Sequence, residues 1–251
     1  MSAQTLVLLP GWALGPAPLE PLAEALRCRL PDYRIECVGY PALTSHRPES
    51  WVAALDHQLP QDAWLAGWSL GGMLATSLAQ WRGRRACGLI TLGANASFVT
   101  RSGWPEAMTG AALAGFQREL RTSPLRTFRR FARLSAQGSR DTRRLGRQLM
   151  AALAATPLDQ ALAGLGVLSA LDLREVLGTL TLPQLHLFGD DDGLVPAAAR
   201  QAIAERLPVS GRTALIENAG HAFPLERAEE TADLMAAFIT TVDRSRAEAV
   251  S

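Results

Sequence analysis

A serine lies at the centre of a short glycine motif, Gly67-Trp68-Ser69-Leu70-Gly71. An apolar, strand-like run precedes this motif, and a helix-like run follows it. Such a sharp turn brings the residues two before and two after the serine into close contact, so both must be glycine. The turn holds the hydroxyl clear of the sheet at a helix N-terminus, where the helix dipole favours developing negative charge. The pattern predicts a nucleophile, although a glycine-rich turn with an incidental serine would read the same way.

An acid and a base follow this serine along the chain. A triplet, Asp190-Asp191-Asp192, comes after one apolar run, and His221 comes after the last one. A serine needs a base to take its proton, and the base needs a carboxylate to fix its tautomer. In open α/β sheets the carboxyl ends of the strands form the ligand site, so we expect these loops to meet Ser69. A loop histidine satisfied by backbone bonds is the alternative for His221, and the residues alone leave open which aspartate acts.

The elements that would position these groups alternate between strand and helix, which predicts a parallel, doubly wound α/β sheet. Residues 98–171 break this rhythm with a purely helical pattern. We therefore expect a helical cap at 98–171 over a core made of 1–97 and 172–251, with the last helix ending near residue 241. The predicted strands are 5–9, 34–38, 64–67, 86–92, 184–189 and 213–217, and the predicted helices of the core are 18–30, 51–59, 197–207 and 226–241.

Composition narrows the classes of function. The 251 residues carry a net charge of +1 and are 48% hydrophobic, which is typical of a globular protein with a core and not of a general polyanion binder. Cys28, Cys37 and Cys87 are odd in number, which favours a reducing compartment. With no secretion signal and no apolar run of membrane length, we expect a cytoplasmic protein without a membrane partner. We expect no metal and no organic cofactor, because no Cys/His spacing fits a metal and the aspartate triplet lacks the spacing of a calcium loop.

Arginines are concentrated in the predicted cap. Residues 101–150 contain eleven arginines and only three acidic residues, a net charge of +8. The pairs Arg126 with Arg130 and Arg143 with Arg147 are each four residues apart, so each pair shares a helix face. A solvated helical surface is the simpler interpretation, and nucleic acid is disfavoured because aromatic residues are not interleaved. We expect these four arginines to dock an acidic partner.

The order Ser, Asp, His, together with the glycine motif, resembles the α/β-hydrolase superfamily. Within it, the chain is similar to the pimeloyl-[acyl-carrier protein] methyl ester esterases of biotin synthesis. The similarity runs from residue 6 to about residue 239, cap included, and is carried by Gly11-Trp12, the serine motif and residues 113–117, 192–196 and 220–222. It implies that Asp192 is the acid. It also implies an oxyanion hole made by the backbone N–H groups of Trp12 and Leu70, and substrate contacts by Trp12, Ser69, Leu70, Phe131, Ala132, Arg133, Leu134, Ser135 and His221.

The resemblance implies a serine carboxylesterase acting on the methyl ester of a short-to-medium acyl chain held by an acidic acyl carrier protein. A broad small-ester carboxylesterase, a perhydrolase or a carbon–carbon hydrolase is the alternative, and we expect a monomer. Two departures leave the substrate open. The leading hairpin that is usual in the sheet is not evident in the sequence, and the stretch 38–41 replaces the usual Asp-x-x-Gly-x-Gly turn. Pro10 also stands where histidine is usual, but the backbone N–H of Trp12 would still be available.

Overall fold

The computed structural model describes residues 4–249. In this range six parallel strands form one sheet in the order β2-β1-β3-β4-β5-β6. Strands β3 and β5 are buried along their whole length, as the apolar runs predict for a sheet covered on both faces. The strands are β1 (Gln4–Leu9), β2 (Tyr33–Cys37), β3 (Ala63–Trp68), β4 (Ala86–Leu92), β5 (Gln184–Gly189) and β6 (Gly211–Ile216).

Helices cover this sheet and one long insertion extends from it. The helices are α1 (Glu20–Arg29), α2 (Pro48–Gln58), α3 (Leu70–Arg82), α4 (Gly110–Thr122), α5 (Pro124–Ala136), α6 (Thr142–Ala154), α7 (Leu158–Ala170), α8 (Val176–Thr179), α9 (Ala198–Ala204), α10 (Phe223–Glu226) and α11 (Ala228–Glu248). Helix α1 packs against α11, whereas α2 and α8 pack against α3. The strand–helix alternation predicted from the sequence is confirmed.

Several helix boundaries differ from the prediction by one to seven residues, including the start of α2 and the end of α11. Helix α2 starts three residues early, at Pro48, because proline with its fixed φ suits the first turn of a helix. Helix α11 continues to Glu248 instead of ending near residue 241. The guanidinium of Arg246 donates to the carbonyl of Cys87 at 2.6 Å, which ties the last turns of α11 to the start of β4.

Between β4 and α8 the chain forms the four helices α4 to α7. Helices α4, α5 and α6 pack in sequence, and α7 contacts α4. The extended pairing described within 97–172 is limited to isolated bridges, such as the one that joins Ser97 to Asp172 at the base of the insertion. The helical character predicted for this segment is therefore observed, while its role as a separate lid with boundaries at 98 and 171 stays a prediction. No single helix within residues 4–249 is long and apolar enough to cross a membrane; α6 and α7 pass that test only as a pair bent by 108°.

Candidate active site

Ser69 occupies a strained turn between β3 and α3. Its φ of 56° and ψ of −116° lie in a region that residues other than glycine rarely adopt. A Cβ on Gly67 would lie 2.2 Å from the carbonyl carbon of Gly71, and a Cβ on Gly71 would lie 2.4 Å from the carbonyl oxygen of Leu9. No side chain fits at either position, which is the steric reason for the glycine spacing. The geometry is that of a nucleophile elbow.

Asp192 and His221 are paired beside this elbow. Oδ2 of Asp192 lies 2.7 Å from Nδ1 of His221, and each side chain is only 1% exposed. The other carboxylate oxygen, Oδ1, accepts the backbone N–H groups of Leu194 at 2.8 Å and Val195 at 2.9 Å. These two bonds fix the carboxylate, and Asp192 is the aspartate of the triplet whose carboxylate is paired with His221.

The other two aspartates lie elsewhere. Oδ1 of Asp190 accepts the N–H of Ala219 at 3.0 Å, and this bond holds the pKa of Asp190 below its usual range. The backbone N–H of Asp191 donates to the carbonyl of Ala219 at 3.1 Å, while its side chain is exposed. Both residues therefore brace the loop that carries His221, a supporting role that the sequence did not reveal.

His221 is also held from the elbow and from α5. The indole N–H of Trp68 donates to the carbonyl of His221 at 2.9 Å, and the N–H of Ala222 donates to the carbonyl of Ser135 at 3.1 Å. Nε2 of His221 is buried and has no hydrogen-bond partner among residues 4–249. This is the atom that would take the proton of Ser69. Catalytic hydrogen bonds of this kind, between a nucleophile and its base, are often long before substrate binds.

The two residues predicted to form the oxyanion hole are Trp12 and Leu70. Leu70 is the first residue of α3, so its N–H has no acceptor within the helix and stands at the positive end of the helix dipole. Trp12 follows β1, and a Cβ on the preceding Gly11 would lie 3.7 Å from Cβ of Ser69. The contact of these two N–H groups with a substrate oxygen stays a prediction.

The indole of Trp12 lies against a cluster of aromatic side chains. Its ring centroid is 4.8 Å from that of Phe131 and 5.6 Å from that of Phe116. With Leu134 and Arg130, these residues line a narrow, mainly apolar cavity of about 60 Å³. A second cavity, of about 320 Å³, is also lined by Trp12, together with Tyr40, Trp51, Leu70, Thr156 and Gly164.

The segment 131–135, expected to contact substrate, is divided between three surroundings because it is helical. Phe131 and Leu134 line the cavity beside Trp12. Ala132 and Arg133 are not brought to this cavity and instead line a groove between α5 and α6. Ser135 is fully buried, and its backbone carbonyl supports the loop of His221.

The groove between α5 and α6 concentrates positive charge. Arg129 and Arg133 from α5 and Arg143 and Arg147 from α6 line it, with a volume of about 500 Å³ and no acidic residue in its lining. We call this feature the arginine groove. The predicted pair Arg143 and Arg147 belongs to it.

The other predicted pair does not line the arginine groove. Arg126 and Arg130 both form ion pairs with Glu119, at 3.2 and 3.1 Å. Spacing alone could not rank the arginine pairs of α5, because Arg129 and Arg133 are also four residues apart.

The other three histidines have different surroundings. His186 lies within β5, where Nδ1 is 2.7 Å from the hydroxyl of Thr91 and burial lowers its pKa to about 3. His46 is exposed and His57 lies on α2. In the part of the chain that the structure describes, no group of three or more His, Cys, Asp or Glu side chains is arranged to hold a metal ion.

Comparison with known proteins identifies the family. The profile of the alpha/beta hydrolase family matches residues 6–234. The chain belongs to the alpha/beta hydrolase family. Pimeloyl-[acyl-carrier protein] methyl ester esterase of Aromatoleum aromaticum is 36% identical to this alpha/beta hydrolase over 94% of the chain and 98% of that protein. The protein of the same name from Aeromonas hydrophila subsp. hydrophila is 34% identical over 93% of the chain and 94% of that protein.

Solved structures show the same alpha/beta hydrolase fold. An esterase from Exiguobacterium antarcticum superposes with a TM-score of 0.85 at 20% identity, over 95% of this chain and 92% of that one. Its helices and strands thus match those of this hydrolase across most of its length. The resemblance stated from the sequence is confirmed at the level of the family and the fold.

Two polar contacts in this hydrolase were not predicted. The hydroxyl of Tyr40 donates to the carbonyl of Pro10, and the hydroxyl of Thr156 donates to the carbonyl of Ala13 at 2.7 Å. Both acceptors lie next to Gly11 and Trp12. The sequence signal for Tyr40 was its place after β2, at the carboxyl edge of the sheet; no comparable signal marked Thr156.

Proposed function

We propose that this chain is a serine carboxylesterase that hydrolyses the methyl ester of pimeloyl-[acyl-carrier protein] to the free acid and methanol. Two nearly full-length relatives bear the name of that activity, which supports the substrate. The observation that carries the chemistry is the buried 2.7 Å contact between Asp192 and His221 beside the strained Ser69. A buried, carboxylate-bound histidine next to an activated serine is the arrangement that acyl transfer to water requires.

In the proposed acylation, Oγ of Ser69 attacks the ester carbonyl carbon while Nε2 of His221 takes the hydroxyl proton. Asp192 holds the proton on Nδ1 and stabilises the imidazolium. The carbonyl oxygen gains negative charge between the N–H groups of Trp12 and Leu70. In measured oxyanion holes each such donor is worth about 3–4 kcal/mol of transition-state stabilisation.

Collapse of the tetrahedral intermediate breaks the bond to the methoxy group. His221 returns its proton to that oxygen, and methanol leaves with the acyl group attached to Ser69. Water then gives a proton to Nε2 and attacks the acyl carbon. Return of that proton to Oγ releases the carboxylic acid and restores the serine.

The carrier-linked substrate is proposed from the two surfaces of α5. Phe131 and Leu134 face the narrow cavity beside Trp12, and Arg130 lines the same cavity. On the other side of the helix, the arginine groove offers an uncompensated positive field to an acidic partner. An acyl chain that leaves Ser69 through this cavity would pass the arginine-rich helix on which its carrier docks. The three free cysteines suit a reducing compartment, and we place the reaction in the cytoplasm.

A substrate panel tests the activity. The protein and its Ser69→Ala variant should be incubated with the carrier-linked methyl ester, free dimethyl pimelate and p-nitrophenyl butyrate, with product analysis by mass spectrometry. We expect loss of one methyl group from the carrier-linked ester, at a higher kcat/KM than for the free ester, and no turnover by the variant. Turnover of free esters alone would leave a broad carboxylesterase, and an oxidised or carbon–carbon cleaved product would exclude the esterase.

Charge reversal tests the docking surface. We expect Arg143→Glu combined with Arg147→Glu to lower kcat/KM on the carrier-linked ester by about tenfold or more, since rim charges act mainly on association. Arg126→Glu with Arg130→Glu should act more weakly, because Glu119 already neutralises part of their charge. Rates on the free ester should stay within about twofold, and raising salt should reduce the advantage of the wild type.

Arg84→Glu with Arg85→Glu is the matched control for these reversals. These two arginines are exposed and precede β4, so they lie at the amino end of the sheet, opposite the site. An equal loss in this control, or an equal loss on free and carrier-linked esters, would contradict docking at the arginine groove.

A further inference from the structure

The segment 10–14, which we call the oxyanion loop, carries the proposed N–H donor of Trp12. It follows the last residue of β1, so the regular pairing of the sheet no longer holds it. Within it, the N–H of Leu14 donates to the carbonyl of Gly11 at 3.2 Å, and Ala13 has a φ of 53°. A residue with a side chain is strained in this conformation and persists there only when the surroundings hold it. The loop therefore needs anchors from outside itself.

One anchor is Tyr40, whose hydroxyl donates to the carbonyl of Pro10. Its ring packs on Trp51, with the centroids 5.2 Å apart, so the ring position does not depend on the hydroxyl. Burial raises the pKa of Tyr40 well above its ordinary value, and the hydroxyl therefore stays a donor. On its other side, the carbonyl of Pro10 lies 2.6 Å from where a Cβ on Gly71 would be, against the first turn of α3. Tyr40 thus holds this carbonyl against the elbow.

The second anchor comes from the helical insertion. The hydroxyl of Thr156, between α6 and α7, donates to the carbonyl of Ala13 at 2.7 Å. The indole N–H of Trp12 itself donates to the carbonyl of Ala161 in α7 at 2.7 Å. The peptide planes Pro10–Gly11 and Ala13–Leu14, which lie on either side of the two planes that contain Trp12, are therefore fixed by side-chain hydroxyls that lie far away in the sequence.

We infer that Tyr40 and Thr156 are positioning residues for the oxyanion hole, because they aim the backbone N–H of Trp12 at the substrate oxygen. This inference rests on the proposed esterase reaction. An oxyanion donor acts only when it is preorganised toward the position that the charged oxygen takes in the transition state. Loss of either hydroxyl should therefore weaken transition-state binding more than substrate binding.

Tyr40→Phe and Thr156→Val remove only the two donors. With p-nitrophenyl butyrate we expect each variant to lower kcat about tenfold, within the range for small misplacements of a catalytic group, while KM changes less than about twofold. Inhibition by an alkyl trifluoromethyl ketone, which forms a tetrahedral oxyanion on the serine, should weaken by a similar factor. Thr156→Ser keeps a hydroxyl in the same place and should restore both values.

Matched controls remove hydroxyls outside this loop. The hydroxyl of Tyr33 binds Gln4 and Asp243, and the hydroxyl of Thr127 donates to the carbonyl of Ser123 at 3.0 Å. Tyr33→Phe and Thr127→Val should keep the wild-type kcat and inhibition constant, with thermal midpoints similar to those of the test variants. A wild-type kcat in both Tyr40→Phe and Thr156→Val, or the same loss in the controls, would overturn the inference. If the wild type itself neither hydrolysed the ester nor bound the ketone, the esterase proposal would fail instead.

Discussion

Replacing Asp192 by Asn exchanges one carboxylate oxygen for an amide nitrogen without changing the size of the side chain. In the structure, Oδ1 of Asp192 accepts N–H groups from Leu194 and Val195. Only an oxygen can accept these two bonds, so the amide oxygen of the variant takes this position. Its NH₂ group then faces Nδ1 of His221, which is 2.7 Å from the atom it replaces.

The consequence is the wrong tautomer of His221. An amide NH₂ group only donates, so Nδ1 must accept and the ring proton moves to Nε2. A protonated Nε2 cannot take the proton of Ser69. In a serine protease, the equivalent Asp-to-Asn change leaves the geometry intact and lowers kcat about 10⁴-fold, and about 5 kcal/mol of transition-state stabilisation corresponds to that factor.

We therefore expect Asp192→Asn to lower kcat for p-nitrophenyl butyrate by about 10⁴-fold, with little change in KM or in the thermal midpoint. Labelling by a fluorophosphonate should slow in parallel, since it needs the same activated serine. Asp190→Asn and Asp191→Asn are the controls and should remain close to wild type, because Asn at 190 still accepts the N–H of Ala219 and the side chain of Asp191 is exposed. A kcat within tenfold of wild type for Asp192→Asn would refute this assignment of the acid.

Three further changes test the site and its support. Ser69→Ala should abolish ester hydrolysis and fluorophosphonate labelling while circular dichroism stays unchanged, and ordinary turnover in the folded variant would end the esterase proposal. Phe131→Ala should raise KM for longer acyl esters more than it lowers kcat, and a constant KM across a chain-length series would exclude Phe131 from the acyl path. His186 stays neutral in the fold, because burial lowers its pKa to about 3, whereas in the unfolded chain it titrates near its ordinary value of about 6.5. The unfolded state therefore gains a proton first as pH falls, and His186 should cost about 2 kcal/mol of stability between pH 7.5 and pH 5. Denaturant titrations should show this loss in the wild type and not in His186→Gln, and equal slopes in the two proteins would contradict it.

The sheet and the clustering of the candidate reacting groups could be predicted because their signals are local. A strand buried on both faces produces an almost continuous apolar run, and each run here ends at a loop whose composition is visible in the sequence. The need for glycine at position 67 follows from steric contact with Gly71 within five residues, whereas glycine at position 71 is required by the carbonyl of Leu9 at the end of β1. The family resemblance supplied the choice of Asp192, and the geometry gives the physical reason: only its carboxylate meets the N–H groups of Leu194 and Val195 on one side and His221 on the other.

The anchors of the oxyanion loop and the position of the arginine groove depend on tertiary contacts, which produce no periodic pattern in the sequence. Tyr40 reaches Pro10 across 30 residues, and Thr156 reaches Ala13 across 143. Which face of α5 carries the arginine groove could not be predicted for a different reason. Arg126 with Arg130 and Arg129 with Arg133 have the same spacing, and only the packing of α5 against α6 decides which pair meets the arginines of α6.

The helical insertion holds the surroundings of two parts of the proposed site, the general base His221 and the oxyanion hole at Trp12. Near His221, the proposed general base, the carbonyl of Ser135 in α5 accepts the backbone N–H of Ala222. The carbonyl of Gln137 lies 1.8 Å from where a Cβ on Gly220 would be. Near the proposed oxyanion hole, the carbonyl of Ala161 in α7 accepts the indole N–H of Trp12. Each of these contacts joins the insertion to a residue at or next to His221 or Trp12. A shift of these helices would therefore move His221 and the N–H of Trp12 as well as the substrate cavity. Mutations in the insertion should therefore be judged by kcat on a small free ester as well as by binding of the carrier, because the two readouts separate damage to the reacting groups from damage to docking.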